Sequence, residues 1–268
     1  METARSEIAC LMYHEVTDDP ASTGLQRLGA YRYTLTRNAF AEHLARYESA
    51  PSAPELIGAV VFGAPGRHLL LTFDDGGRSA LHVADELSRR GWKAHFFIVT
   101  SRIGERTFLD RAGLLELQRQ GHLVGTHSHT HPDIFRDLSR SRMLDEWRGS
   151  RAILEDLLGE PCLAGSVPGG DISAEVLDAA GEAGLRFLFT SEPETTPRKV
   201  GECWIIGRLC LKAGTSADSI DELVRFKGWK KARLERGLKE IARHGMAPLY
   251  RLYVERNRSL PPSAVPGA

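Results

Sequence analysis

The sequence predicts an α/β fold built as an incomplete (β/α) barrel, and three observations predict it. Short apolar runs end abruptly in turn residues, stretches of helical spacing alternate with them, and about 200 residues hold enough such units to nearly encircle a barrel. An open, doubly wound sheet is the alternative arrangement of the same units. Residues 8–13 and 68–73 (HLLLTF) are the first two long strands, the second running into Asp-Asp-Gly-Gly. Leu81, Ala84 and Leu87 then mark a helix over residues 79–90, followed by a strand around residues 96–99 (FFIV). Residues 111–120 form a helix stopped by Gly121, residues 122–125 a strand, and residues 140–158 a long amphipathic helix closed by Gly159. Residues 162–167 are extended again. Ser173 caps a helix reaching Ala183, residues 185–190 (LRFLFT) supply another strand, and residues 204–211 the last.

Composition limits the function classes. With 42% hydrophobic and 26% charged residues over 268 positions, the chain is an ordinary globular protein with room for a sizeable core. A formal net charge of zero gives no ground for a nucleic-acid partner. The start, METARSEIACLMYHEV, lacks a signal-peptide pattern, and no window reaches about 18 apolar residues, so a cytoplasmic protein is expected. Cys10, Cys162, Cys203 and Cys210 lie in apolar stretches without CxxC spacing, as buried reduced thiols would.

In parallel α/β architectures the loops after the strand C-termini share one face, and polar residues concentrate at those positions here. His14 follows the first strand, Asp74 and Asp75 the second, His127 and His131 a later one, Ser166 to Gly170 the next, and Ser191 with Glu192 the one after. Adjacent carboxylates repel unless a cation or proton relieves them; a divalent metal on one would keep its neighbour ionised beside a metal-bound water. An acidic helix N-cap explains the pair equally well. His127 and His131, four apart in THSHTHPD, would point the same way from a helical turn and could grip Zn²⁺, with His129 pointing elsewhere. Two imidazoles and one carboxylate leave a coordination position open, as hydrolytic sites do. His43, His68, His82, His95 and His122 lack partner spacing and are assigned no chemistry.

LTFDDG followed by THSHTHP resembles the first two motifs of the polysaccharide deacetylase family (NodB-homology domains, carbohydrate esterase family four), and LMYHEV resembles the opening of many members. The resemblance runs from about Ile8 to Leu211 and implies a distorted seven-stranded barrel. It also implies a metal-dependent N-deacetylase in which Asp74 is the general base, Asp75, His127 and His131 hold the metal, and Ser128 is the hydroxyl residue after the first histidine. Zn²⁺ or another first-row divalent ion is the implied cofactor, and an N-acetylated saccharide the substrate. Two departures stand out. Gly165-Ser166-Val167-Pro168-Gly169-Gly170 replaces an Arg-Pro-Pro-Tyr-like stretch, so the arginine that would orient the base is missing there, and Ser166 cannot replace its charge. The late histidine is absent from WIIGRLCLKAG, which leaves His14, matching the early Tyr-His of members with permuted motifs, as general acid. Ser166, Pro168, Gly169 and Glu192 are the substrate-binding candidates, with a backbone N–H near Gly169 suited to an oxyanion; a strand-to-helix turn explains Pro-Gly-Gly as well.

Between Arg225 and Arg258 basic residues outnumber acidic ones by eight, interleaved with Phe226, Trp229, Leu234, Leu238 and Ile241. A helix packed on the barrel with a solvated basic face is preferred; peripheral contact with an anionic membrane carrying a lipid-linked glycan is the other possibility. The expected organisation is a deacetylase-like domain over residues 1–215, a basic helical segment over residues 216–258, and a disordered tail over residues 259–268. Competing functions are an inactive glycan-binding relative, an amidohydrolase acting on a non-sugar C–N bond, or a metal-stabilised scaffold.

Overall fold

A computed structural model describes residues 6–26, 29–170 and 172–245, with side chains through residue 238. Its strands are β1 (Ser6–Tyr13), β2 (Glu15–Val16), β3 (Thr34–Leu35), β4 (Gly66–Phe73), β5 (His95–Ile98), β6 (Leu123–Thr126), β7 (Ala164–Ser166), β8 (Phe187–Phe189), β9 (Arg198–Val200), β10 (Cys203–Ile206) and β11 (Leu209–Cys210). The helices are α1 (Arg37–Glu48), α2 (Ser79–Ser88), α3 (Arg111–Arg119), α4 (Arg140–Leu158), α5 (Ala174–Glu182), α6 (Ala217–Val224) and α7 (Trp229–Gly245).

Among the described residues one nine-stranded sheet runs β11-β1-β4-β5-β6-β7-β8-β10-β9, and β2 pairs with β3 apart from it. Every pairing in the large sheet is parallel except β9 on β10. The expected barrel is present, with the short strands β9 and β11 added at its edges. Its curl follows from connectivity. The chain leaves β10 near one edge and enters β11 at the other after only Gly207 and Arg208. A chain spans no more than about 3.3–3.6 Å per residue, so the two ends of the sheet must come together there. The single strand expected over residues 204–211 is therefore broken. Gly207 makes the break possible, because a Cβ at that position would lie 2.5 and 2.6 Å from the carbonyl oxygens of Glu194 and Glu192.

Both faces of the sheet are buried, which is why its strands are continuous apolar runs rather than alternating ones. Ala9, Leu11, Tyr13, Leu69, Leu71, Phe73, Phe96 and Ile98 pack under the helices, while Ile8, Cys10, Leu70, Phe97, Phe189 and Ile206 fill the interior with Ile57 and Val60. Helix ends follow the sequence signals: Ser173 and Ser139 cap α5 and α4 by accepting from Val176 N and Arg142 N, and Gly159 at φ 70° closes α4.

Helix α1 has no counterpart among the elements expected from sequence. Its buried face is Phe40, His43, Leu44 and Tyr47, so two polar-capable residues interrupt the apolar stripe, and Tyr13 Oη pairs with both His43 Nδ1 and Tyr47 Oη. Ile220, Leu223 and Val224 of α6 and Trp229 of α7 join the core beneath the helices, so the segment from α6 to the start of α7 shares the barrel's core. Residues 246–258 and the expected tail, 259–268, lie outside the described residues. No helix among the described residues is long and apolar enough to cross a membrane. The four cysteines are free thiols, three buried and Cys210 half-buried.

Candidate active site

The strand C-termini deliver the predicted side chains to one cleft of about 510 Å³, whose lining includes His14, Asp74, Asp75, His127, His131 and Gly169. Asp75 Oδ1 lies 3.5 Å from His127 Nε2 and 3.7 Å from His131 Nε2, and one donor atom from each of the three residues falls within 4.8 Å of the others. Tetrahedral Zn²⁺ with ligands at about 2.0–2.1 Å separates them by roughly 3.3 Å, so these donors suit such an ion with small adjustment. His127 Nδ1 lies 2.9 Å from the carbonyl of Ser166 and must donate to it, which turns Nε2 and its lone pair towards Asp75.

The backbone here is unusual. Asp75, Ser128 and His131 have φ of 76°, 67° and 54°, the left-handed region that few non-glycine residues adopt. Gly76, at φ 81°, continues the turn. The two histidines thus converge through a turn with left-handed residues, not through the helical turn expected from their spacing. His129 turns aside, its Nδ1 3.0 Å from Thr100 Oγ1.

Asp74 is buried beside this group, its Oδ2 3.8 Å from His127 Nε2. The arginine missing from residues 165–170 is supplied by Arg208, in the step between β10 and β11. Its Nη1 and Nη2 donate to Asp74 Oδ1 and Oδ2 at 2.8 and 2.9 Å, a bidentate fork. The remaining donors reach Thr190 O, Thr72 Oγ1 and Ser166 Oγ, and the side chain is wholly buried. Burial pushes the Asp74 carboxyl up, but Arg208, with His127 and His14 adding, outweighs it and holds the group well below the usual carboxylate range. A signal for Arg208 existed in the sequence: one cation inside the apolar run WIIGRLCL has to find a buried partner.

Other candidates are placed differently from expectation. Ser166 is wholly buried, donates to Asp74 Oδ2 at 2.9 Å and accepts from Arg208, so it stands behind Asp74 and is absent from the cleft lining. Pro168 is buried while its neighbours Val167, Gly169 and Gly170 line the cleft. Glu192 is ion-paired with Arg236 of α7 at 3.0 Å, and Arg236 also donates to Gly170 O, so this carboxylate anchors a helix instead of orienting His14. Through Ala232, Glu235 and Arg236, α7 forms part of the cleft wall. His14 stacks on Tyr33 with ring centroids 4.9 Å apart. Glu15, not singled out from sequence, accepts from Ser79 Oγ and Gly24 N at the edge of the cleft, and burial pushes its carboxyl up against those bonds. Four further histidines serve structure: His43 bonds Thr215 O, His68 pairs with Glu55, His95 accepts from Ile57 N and His122 from Ala94 N.

An α/β half-barrel with an Asp-Asp turn and a histidine pair at its strand C-termini is a fold and site with counterparts among known proteins. Residues 63–188 match the family model described as Polysaccharide deacetylase. YxkH of Bacillus subtilis (strain 168) is 25% identical over 152 residues, 56% of this chain and 54% of that protein. The chain thus spans about half the length of this curated relative. The fold is shared with a polysaccharide deacetylase from Bacillus cereus (TM-score 0.70, 17% identity, 82% of this chain and 69% of that one). It is shared as well with the deacetylase PplD of Streptococcus pyogenes (0.65, 17%, 81% and 97%) and with IcaB from Ammonifex degensii (0.64, 19%, 85% and 97%).

Proposed function

We propose that this chain is a metal-dependent hydrolase that removes the acetyl group from an N-acetylated sugar in a poly-, oligo- or lipid-linked saccharide, releasing acetate. The observation that carries the proposal is the convergence of Asp75, His127 and His131 next to an Asp74 held by a buried arginine. Asp75, His127 and His131 would hold a divalent ion, Zn²⁺ by its donor set, and the chemistry it would supply there is Lewis acidity at the acetyl carbonyl and a lowered pKa for a bound water.

The chain's own residues do the rest. Asp74, whose carboxylate lies 3.8 Å from His127 Nε2, takes the proton of the attacking water. The Arg208 fork keeps this carboxylate ionised and fixes its plane, and it disfavours leaving the proton there. The backbone N–H of Gly169, on the cleft wall, is assigned to the developing oxyanion. His14, with its ring held on Tyr33, gives a proton to the departing amine as the C–N bond breaks.

The test is metal analysis coupled to acetate release from N-acetylated oligosaccharides. Wild type should bind one divalent ion and release acetate, and D74N should keep the ion while losing turnover. Metal-loaded protein that releases no acetate from any such sugar refutes the proposal and favours a binding relative. A finer proposal concerns presentation of the substrate. The outward side of α7 carries Leu234 and Leu238, 66% and 60% exposed, next to Lys230 and Lys231, a pattern suited to peripheral contact with anionic lipid. Flotation of the full chain with anionic but not neutral liposomes is expected, and equal flotation with neither removes it.

A further inference from the structure

We infer that Glu146 is a positioning residue for the metal site, and that α4 preforms the His127–His131 turn through two ties one helical turn apart. The inference rests on the metal half of the function proposed above. Glu146 lies in the middle of α4 with a side chain only 2% exposed, and it is absent from the lining of the cleft. Its Oε2 accepts from His129 N at 2.9 Å and Thr130 N at 2.7 Å, and its Oε1 accepts from Thr130 Oγ1 at 2.7 Å. Four residues on, Ser150 Oγ pairs with Thr126 Oγ1 at 2.5 Å, and Thr126 Oγ1 accepts from Ser128 N at 3.0 Å. Ser128 Oγ accepts in turn from His131 N at 3.1 Å.

These bonds satisfy the backbone N–H groups of four consecutive residues, 128 to 131, with side-chain oxygens. The turn needs such partners because Ser128 and His131 are left-handed, and a chain so bent makes no regular ladder of its own. Of the four, the two central N–H groups depend on one buried carboxylate. An ionised acceptor makes shorter and stronger bonds than a neutral one. Its cationic neighbour Arg142 lies 3.6 Å away with a side chain 59% exposed, so the buried end of Glu146 is spent on the turn. Glu146 touches no substrate. By fixing the peptides between the two histidines, it sets the distance at which their Nε2 atoms face Asp75.

The experiment measures metal affinity directly, by competition of Zn²⁺ against a chromophoric chelator, on full-length wild type, E146Q, E146A and T130V. Apo-protein melting and the visible spectrum of the Co²⁺ form are recorded in parallel. Loss of an outer-shell partner typically weakens a site by about 10- to 100-fold, and E146A is expected in that range. E146Q should lose less, since its amide can accept from both N–H groups through one oxygen and donate to Thr130 Oγ1 through nitrogen. T130V, which removes only the hydroxyl donor, should weaken binding severalfold and alter the Co²⁺ spectrum with apo melting unchanged. E146A that binds Zn²⁺ within twofold of wild type overturns the inference, as does a drop in apo melting with unchanged affinity. If E146A does not fold, E146Q and T130V decide by the same criterion. Because binding is read rather than turnover, absence of acetate release would refute the proposed activity and leave this result standing; wild type that binds no divalent ion would refute both.

Discussion

Removing the Arg208 guanidinium should both destabilise the protein and disable Asp74 in its proposed role as base. Arg208 is wholly buried, and its donors reach both oxygens of Asp74 as well as Thr190 O, Thr72 Oγ1 and Ser166 Oγ. In R208A the Asp74 carboxylate loses its counter-charge inside the barrel, a change that costs about 3–5 kcal/mol when one partner of a buried pair is deleted. Against a total stability of about 5–15 kcal/mol, that is enough to leave the variant marginal. R208K is the more informative substitution. It retains the charge, but one ammonium cannot fork onto two oxygens and also bond Thr190 O, so about 1–3 kcal/mol of stability should be lost. With the carboxylate plane no longer fixed, acetate release should fall by about 100-fold or more, the lower end of what a positioned base contributes. Urea unfolding gives the stability change as a shift in midpoint at constant slope, and acetate release gives the rate. R208A that unfolds at the wild-type midpoint and turns over at the wild-type rate would show that the fork neither holds the fold nor prepares Asp74.

His14→Ala should retain metal and fold while kcat drops by about 100- to 10,000-fold, measured by acetate release; a loss under tenfold removes His14 as the acid. Stability should decline on acidification below neutral pH. Burial lowers His95 from 6.5 to about 4, outweighing its bond to Leu71 O, and burial likewise lowers His122 to about 4. Each accepts a backbone N–H on one ring nitrogen, from Ile57 and Ala94, so protonation would set donor against donor. Between those values the unfolded chain binds protons that the native one refuses, so stability is complete above about pH 6.5 and is lost as pH falls towards 4. For wholly buried His95 this amounts to about 2 kcal/mol between pH 6.5 and 5. Urea midpoints at the two pH values test it, with H95Q expected to flatten the slope; a pH-independent midpoint for wild type would refute the assignment.

Much of this molecule is local and could be read from residue order. Apolar runs broken by Asp-Asp-Gly-Gly or by a serine cap become β4 and the ends of α4 and α5, because burial of one or both faces and satisfaction of helix ends depend on neighbours a few residues away. The same locality put Asp74, Asp75, His127 and His131 at strand ends, where the fold gathers them. Helix α1 escaped because its buried stripe includes His43 and Tyr47, whose polar atoms are satisfied by Tyr13 thirty residues or more away in the chain.

What residue order by itself determined is the run of main parallel strands, β1, β4 to β8 and β10, with their polar C-terminal loops and the donor types that meet there, since those follow from hydrophobic period and donor chemistry. Only the tertiary structure decided which cation serves Asp74, that Ser166 and Glu192 face protein partners, and that left-handed turns aim Asp75 and His131. The physical reason is distance along the chain: Arg208 meets Asp74 from 134 positions away because the sheet curls until β10 and β11 are joined by two residues, and no local pattern encodes that closure.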